Sequence, residues 1–229
     1  DQALLDLLPM AFTKRAAIKV WIAPATRLLV IDAGSASRAD ETLTALTQAL
    51  PGLSAQLINT AVSPQAAMAD WLVSGEPPTP FTIDRDCELK ATDGEKPVVR
   101  YARHPLDLPE IREHIAAGKR PTRLALTWND RVSFTLTEGL QLKKISFLDG
   151  VFEGRKADGD EGFDADAAIT TGELAPMIGE LIDALGGEQV LGAASAPVPG
   201  AAATPPALAA APAALNTTTD RPPWEAALP

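Results

Sequence analysis

The sequence predicts an α+β fold in which mixed or antiparallel sheets carry flanking helices. Residues 122–128 and 131–137 alternate apolar and polar side chains on either side of Asn129-Asp130, which is the pattern of a β-hairpin. Residues 63–75 instead repeat apolar side chains at helical spacing and end at a glycine. With 46% hydrophobic and 22% charged residues, the chain has enough apolar surface for a packed core.

Residues 1–75 are predicted to form a compact α+β subdomain. Its elements in chain order are a strand pair at 16–23 and 27–33, a helix from Ser37 to Pro51-Gly52, a strand at 53–59 and a helix from Ser63 to Gly75. The proline-rich segment 76–80 is predicted to be a stiff spacer, because each proline fixes its own φ and extends its neighbour. We expect a subdomain boundary there.

Residues 81–150 are predicted to form a second subdomain, an antiparallel hairpin and meander with one short helix. Its strands are expected at 87–92, 96–103, 122–128, 131–137 and 141–147, and its helix at 109–117. Asp93-Gly94 is a strong turn signal between the first two of these strands. Asp107 is expected to cap the helix and Gly118 to end it.

The final part of the chain combines an acidic loop, a long helix and a tail. The loop is predicted at 151–162, the helical segment at 163–187 and a disordered Ala/Pro-rich tail at 188–229. Asp164 is expected to cap the helix, and Pro176 to kink or divide it. A helix at 207–215 is the alternative within the tail, and Pro212 opposes it.

The net charge of −10 is distributed unevenly along the chain. Through Gly150 the chain has 17 Lys and Arg against 18 Asp and Glu, whereas the remainder has 3 against 12. Between Arg85 and Lys144 the basic residues outnumber the acidic ones. A locally basic surface is therefore compatible with an acidic chain.

Composition also indicates where in the cell the protein is expected. The single cysteine, Cys87, excludes an internal disulfide and favours a reducing compartment, so the cytoplasm is the expected location. No apolar run approaches the ~20 residues of a membrane-spanning helix, and no charged-then-apolar leader opens the chain. We expect no membrane partner. Because the first residue is not methionine, we also expect the chain to be the C-terminal portion of a longer protein.

Residues that could support catalysis or bind a metal are few. Cys87, His104 and His114 could supply a nucleophile and a base, or metal ligands, but their spacing does not present two of them on one face. The acidic run from Asp158 to Asp166 lacks the order of a calcium loop and is more typical of a solvated linker. Nucleotide-binding glycine patterns and a serine-hydrolase elbow are missing from the sequence. We therefore expect no enzyme activity, no metal and no cofactor.

Basic residues are the remaining candidates for a functional surface. Long cationic side chains near strand ends and turns can reach nucleic-acid phosphates, although scattered cations also commonly solvate a sheet. The candidate DNA-binding residues are Arg100, Arg103, Lys119, Arg120, Arg123, Arg131, Lys143 and Lys144. Their side chains would have to share one surface for this hypothesis to hold.

Four segments, in this order and spacing, resemble the RdgC family of bacterial recombination-associated proteins. They are residues 7–12 (LLPMAF), 87–90 (CELK), 118–128 (GKRPTRLALTW) and 163–174, in which FDAD leads into TGEL. The last two are the most specific, because they combine charged and small residues in a fixed sequence. The similarity extends over about residues 1–187.

The resemblance implies a ring subunit that pairs as a homodimer around duplex DNA, with a basic inner wall. It also implies sequence-independent binding that limits access of the RecA recombinase, a nucleoid location and no catalytic residues. By motif position it assigns Phe12 to one ring interface, with a simple core contact as the alternative, and Arg103 and His104 to the other. The family's N-terminal portion is missing here and the tail after Gly187 has no counterpart in it, which leaves ring closure open.

The alternative function is a protein-interaction scaffold whose meander or final helix docks another protein without direct DNA contact. The two functions differ in whether complexes survive the removal of DNA. A further hypothesis is that acidic residues near the tail compete with DNA for the basic surface.

Overall fold

A computed structural model describes residues 12, 16–92, 97–152 and 161–189 of the chain. The elements in chain order are β1 (Lys19–Ala23), β2 (Leu28–Asp32), α1 (Ala36–Ala49), α2 (Pro64–Ser74), β3 (Phe81–Ala91), β4 (Val98–Tyr101), α3 (Pro109–Ala116), β5 (Lys119–Trp128), β6 (Val132–Thr137), β7 (Leu142–Phe147) and α4 (Glu161–Ala184). Helices and antiparallel strands are both present, which confirms the predicted α+β class. The predicted Asp93-Gly94 turn, acidic-loop residues 153–160 and the tail from residue 190 lie outside the described residues.

Strands β3 to β7 form a five-stranded antiparallel sheet in the order β4-β3-β5-β6-β7, and β1 and β2 pair separately. The β5–β6 pair turns at Asn129 and Asp130, whose φ angles are 52° and 51°. Two consecutive positive φ angles give the turn that matches the twist of a two-residue hairpin, and Asn and Asp tolerate them better than most residues. The predicted hairpin is therefore confirmed.

One face of the five-stranded sheet is buried beneath helices. The sheet contributes Leu124, Leu126, Trp128, Val132, Phe134 and Leu136, the helices contribute Met68, Trp71, Leu72, Ile111, Ile115, Met177 and Leu181, and Leu185 follows directly after α4. The apolar side chains at alternate positions of β5 and β6 all enter this core, as their pattern predicts.

The other face of the sheet, called the polar face below, carries the side chains that alternate with the core residues. Its described members include Glu88, Lys90, Arg100, Arg120, Arg123, Ala125, Ser133, Thr135 and Lys143. The sheet is therefore apolar on one side and polar or small on the other, which is common for antiparallel sheets with one covered face.

Helix α2 begins and ends where the sequence predicts. The Ser63 hydroxyl accepts a hydrogen bond from the Ala66 N–H at 3.2 Å, and Pro64 is the first helical residue. Gly75 ends the helix with φ 75°, a left-handed conformation that glycine adopts without steric cost. Both end signals are local, so the sequence alone was sufficient to locate them.

The predicted strand at 53–59 is not formed. In this part of the described chain only Thr60 makes a β-bridge, with Glu188, and Leu57 is 84% exposed. A strand needs a neighbouring ladder to pair its N–H and C=O groups. The prediction was wrong because an alternating sequence pattern does not show whether a neighbouring strand is available for pairing.

Two predicted helix starts are displaced by one or two residues. Ser35 rather than Ser37 caps α1, accepting from the Arg38 N–H at 3.4 Å. Leu108 rather than Asp107 occupies the cap position of α3 and makes no side-chain capping bond. The Asp107 carboxylate instead accepts from Arg112 at 2.7 Å, because an ion pair five residues away competes for it.

Helix α4 continues through Pro176 without a division. An interior proline costs about 3 kcal/mol. Leu174, Met177 and Leu181 on either side are all buried, and each buried side chain contributes roughly 1.5–3 kcal/mol, so packing keeps both halves in one helix. Asp164 lies inside α4 and is not its cap. No helix in the described ranges is long and apolar enough to span a membrane.

The proline-rich segment 76–80 connects two parts of one core. Met68 and Trp71 before it belong to the same buried cluster as Phe81 and Leu89 after it. Where the sequence predicts a subdomain boundary, the structure therefore has a short connection within one packed body. Proline content reports backbone stiffness and does not locate the edge of a core.

Leu181 provides a test of the sheet–helix core. It is 2% exposed in α4, and Leu181→Ala is expected to lower the free energy of unfolding by about 2–5 kcal/mol through lost burial and a residual cavity. Urea denaturation followed by circular dichroism measures the change. The control is Leu57→Ala, at a leucine that is 84% exposed, and equal effects of the two changes would contradict this packing.

A second test concerns the pair between the β5–β6 turn and α4. Arg131 donates to Glu173 through Nε at 2.8 Å and through Nη2, and these hydrogen bonds hold the pKa of Glu173 below its ordinary value of 4.5. Because the folded-state pKa is depressed, the stabilisation is complete above the ordinary value and is lost as pH falls through the folded one.

We therefore expect Glu173→Gln to lower Tm near neutral pH, with the difference from the unsubstituted protein shrinking as pH falls below about 4. Thermal denaturation across pH measures this. The control is Glu113→Gln, at an exposed α3 residue that makes no ion pair with a described residue. A Tm difference that grows toward acid would have the wrong sign.

Candidate nucleic-acid interface

The strands bring four of the predicted cations to the polar face. Arg100 lies on β4, Arg120 and Arg123 on β5, and Lys143 on β7. Arg123 precedes buried Leu124, and since neighbouring residues of a strand point to opposite faces, its side chain leaves the core side. Arg100 and Lys143 alternate in the same way with inward-facing residues of β4 and β7. Arg120 reaches this face because a bulge in the β3–β5 register reverses the alternation before Arg123.

Cross-strand register aligns these side chains in rows. Glu88 on β3 is paired with Arg100 of β4 on one side and Arg123 of β5 on the other. Lys90, two residues further along β3, is paired with Arg120. Directly paired residues project to the same face of a sheet, so Lys90 joins this surface. Sequence reasoning missed Lys90, although its two-residue spacing from Glu88 was an available signal.

Arg103 and Lys144 border a depression on the same side of the sheet. The depression has a volume of about 520 Å³ and is lined by Asp84, Arg85, Asp86, Arg103, Ala125, Ser133, Phe134, Thr135 and Lys144. Both cations have positive φ angles, 55° for Arg103 and 53° for Lys144. Such conformations are uncommon outside glycine and cluster at functional sites.

The centre of the polar face is built from short side chains. Ala125 of β5 is paired with Thr135 of β6, and Ser133 lies two residues before Thr135. Lys143 of β7 is in turn paired with Thr135. Arginine and lysine side chains extend several ångströms beyond such residues, so Arg123 and Lys143 stand above this low floor beside them.

Lys119 and Arg131 do not join this surface. The Lys119 Nζ lies 3.1 Å from Nδ1 of His114 on α3, on the helix side of the sheet. Arg131 is paired with Glu173 of α4 at the end of the β5–β6 hairpin. The structure thus brings together most, but not all, of the predicted cations.

Glu88 is held between two cations of the polar face. Its Oε2 accepts from Arg100 Nη2 at 2.5 Å and Nε at 3.0 Å, and lies 3.8 Å from Arg123 Nη1. Its Oε1 accepts from the Thr122 hydroxyl at 3.0 Å. The Arg100 hydrogen bond is the main reason that the pKa of Glu88 lies below its ordinary value, with further lowering from Thr122 and Arg123.

The other carboxylates of this region hold the backbone and side chains of the sheet. Asp84 accepts from the buried Thr127 hydroxyl at 2.9 and 3.1 Å. Asp86 accepts from the Arg103 N–H at 2.7 Å, next to a bulge that interrupts the β3–β5 register. The Asp86 contact holds the loop that carries Arg103, and the Asp84 contact joins β3 to β5, so the two aspartates have structural roles.

The proposed interface residues are exposed. Phe12 is fully exposed, at 104% of its reference area, so a simple core contact is not made in the described structure. His104 follows Arg103 in the loop after β4, and its N–H donates to the Arg85 carbonyl at 3.0 Å.

Cys87 is buried, whereas His104 is exposed and His114 is half-buried. Burial raises the pKa of the Cys87 thiol to about 12, with a further contribution from Glu88, so the thiol stays protonated at neutral pH. His104 contacts the Pro105 carbonyl, whereas His114 contacts Lys119 and Glu110. Across 16–92, 97–152 and 161–189, no group of three or more potential ligands gathers that could hold a metal ion.

Comparison with known proteins gives a family match over most of the chain. A family model described as "Putative exonuclease, RdgC" matches residues 1–188. The chain is similar to the recombination-associated protein RdgC of Dechloromonas aromatica, with 49% identity over 81% of this chain and 63% of the relative. Identity to the protein of the same name from Cupriavidus pinatubonensis is 47%, over 82% of this chain and 64% of the relative.

The chain spans slightly less than two thirds of the length of these relatives. Identity remains at 42% for the recombination-associated protein RdgC of Bordetella pertussis, over 80% of this chain. The resemblance seen in the four sequence segments is confirmed by these matches. The chain belongs to the RdgC family of recombination-associated proteins.

Proposed function

We propose that this chain binds duplex DNA without sequence preference through the polar face and acts as a homodimer in recombination. One observation carries the proposal: Lys90, Arg100, Arg120, Arg123 and Lys143, from four strands, project from the same side of one sheet. Cations that share a surface can neutralise several phosphates at once.

The shape of the polar face favours backbone contact over base reading. Base recognition in the major groove is usually made by a helix or a two-stranded ribbon that enters the groove. A five-stranded sheet with a low floor at Ala125, Ser133 and Thr135 is too broad for such entry. Its bordering arginines and lysines can instead contact phosphates, which are the same for every sequence.

The homodimer is proposed from Phe12, Arg103 and His104. A fully exposed phenylalanine provides an apolar contact, and an exposed loop with a cation and a histidine provides a polar one. Two such contacts on one subunit are what a closed ring of two subunits needs. A ring retains DNA by encirclement, would limit access of RecA to the same DNA, and would locate the protein to the nucleoid.

The binding proposal is tested by the salt dependence of DNA affinity. If about six to ten phosphates are contacted, affinity for a duplex should fall ~10³–10⁵-fold between 50 and 200 mM salt. Arg120→Ala combined with Lys143→Ala should reduce the slope of log affinity against log salt by about two for each bound subunit, equally for unrelated duplex sequences. Fluorescence anisotropy with labelled duplexes measures both quantities.

The matched control for this test is Lys119→Ala, which removes a cation on the helix side of the sheet and should leave the slope unchanged. A flat salt response of the unsubstituted protein would contradict DNA binding.

Gel analysis of the same duplexes after incubation with Mg²⁺ distinguishes binding from the exonuclease activity named in the family description, and the proposal expects intact DNA. Partner proteins retained after nuclease treatment would instead favour the scaffold function.

The dimer proposal is tested at Phe12. Phe12→Ala should raise the dissociation constant of the homodimer about tenfold or more, because an exposed aromatic side chain buried at an interface commonly contributes over 1 kcal/mol. Sedimentation velocity over a range of protein concentrations measures the change. Leu57→Ala removes another exposed apolar side chain and is the control. A chain that is monomeric at all concentrations, or equal effects of the two variants, would contradict this interface.

A further inference from the structure

Glu88 occupies an unusual position among the cations of the polar face. Its side chain is only 14% exposed, whereas those of its two partners, Arg100 and Arg123, are 66% and 51% exposed. The carboxylate therefore lies beneath two guanidinium groups that remain accessible from solution. An anion that approaches Arg100 from outside meets donors that Glu88 already uses, and at Arg123 it meets the Glu88 charge 3.8 Å from the guanidinium.

The contacts of Glu88 are of the kind that a phosphate would make. Two nitrogens of Arg100 donate to one carboxylate oxygen, at 2.5 and 3.0 Å, and Arg123 adds a longer contact of 3.8 Å to the same oxygen. Arginine binds carboxylate and phosphate oxygens through the same planar donor set. A phosphodiester oxygen and Glu88 Oε2 would thus compete for the same N–H groups.

We propose that Glu88 is an intramolecular competitor of the DNA backbone, which occupies Arg100 and Arg123 and thereby limits the number of phosphates that the polar face binds. This inference rests on the proposed DNA-binding function. The Glu88 carboxylate then limits the affinity for DNA, and Arg120, Lys90 and Lys143 are the cations that bind phosphates first.

The charge state of Glu88 supports the competition. Its hydrogen bonds to Arg100 and Thr122 lower its pKa, so the carboxylate stays ionised at neutral pH and is not relieved by protonation. The Thr122 hydroxyl also anchors the second oxygen at 3.0 Å, which keeps Oε2 directed at the guanidinium groups. A mobile surface carboxylate would compete far less, because exposed ion pairs are weak.

Asp84 provides an internal comparison. It lies on the same strand and borders the same side of the sheet, but its two oxygens accept from the Thr127 hydroxyl and it makes no ion pair with a described cation. Removing the charge of Asp84 or of Glu88 changes the net charge by the same amount. Only the change at Glu88 also releases guanidinium groups.

The experiment compares Glu88→Gln with Asp84→Asn in the full chain, by fluorescence anisotropy with a labelled duplex across salt concentrations. Glutamine keeps the size of the side chain and an oxygen that can accept from Thr122. We expect Glu88→Gln to tighten binding roughly tenfold at moderate salt, as for a unit charge removed near a phosphate at the protein surface. We also expect the salt slope to steepen by about one to two for each bound subunit, one for each released arginine that gains a phosphate.

Asp84→Asn is expected to tighten binding less and to leave the slope unchanged. Equal effects of the two changes would overturn the proposal, because they would show a general charge effect only. Weaker binding by Glu88→Gln would also overturn it and would make Glu88 a residue that positions the arginines for DNA. If the unsubstituted protein shows no salt-dependent binding, the proposed function itself fails. That result differs from both of the outcomes that would overturn the role of Glu88.

A second comparison leaves Glu88 in place and so does not depend on the folding of Glu88→Gln. In the otherwise unsubstituted chain, Arg100→Gln should reduce the salt slope less than Arg120→Gln, because Arg100 is occupied by Glu88 and Arg120 makes no ion pair with a described residue. Circular dichroism confirms that both variants are folded. If Arg100→Gln reduced the salt slope as much as Arg120→Gln or more, the proposal would be overturned.

Discussion

The two-sided character of the β5–β6 hairpin is the constraint on which the rest of the structure depends. Its alternate apolar residues complete the core beneath α2, α3 and α4, so the intervening residues must project from the opposite face. A shift of the pairing by one residue would bury Arg123 and expose Leu124. The burial that stabilises the fold therefore also determines which cations share a surface.

Carboxylates decide which of those cations are available to a ligand. Glu173 pairs with Arg131 and joins the hairpin to α4, so that arginine serves the fold. Glu88 pairs with Arg100 and Arg123 but leaves both guanidinium groups largely exposed. The two pairings are similar in exposure and differ in their place in the fold, because Arg131 lies beside α4 at the end of the hairpin, whereas Arg100 and Arg123 lie on the polar face.

Local signals made some of the structure predictable, and non-local pairing made the rest unpredictable. The Asn129-Asp130 turn and the Ser63 and Gly75 ends of α2 depend on a few adjacent residues, so the sequence located them. The strand predicted at 53–59 needed a partner that the fold does not provide. For the site, the sequence could not predict the placement of Lys119 and Glu88. Bulges in the β3–β5 register determine the face on which each side chain lies and the partner it contacts.

An acidic chain can still present a basic surface to DNA when its charges are separated by the fold. The described acidic residues of α4 lie on the helix side, where Glu173 contacts Arg131 and Glu180 accepts from the buried Trp128 indole at 2.6 Å. A packed layer of secondary structure is about 10 Å thick, whereas the screening length at physiological salt is about 8 Å. Phosphates at the polar face would therefore respond mainly to the charged groups on that side, which are the cations with Glu88, Asp84 and Asp86, and only weakly to the described carboxylates of α4.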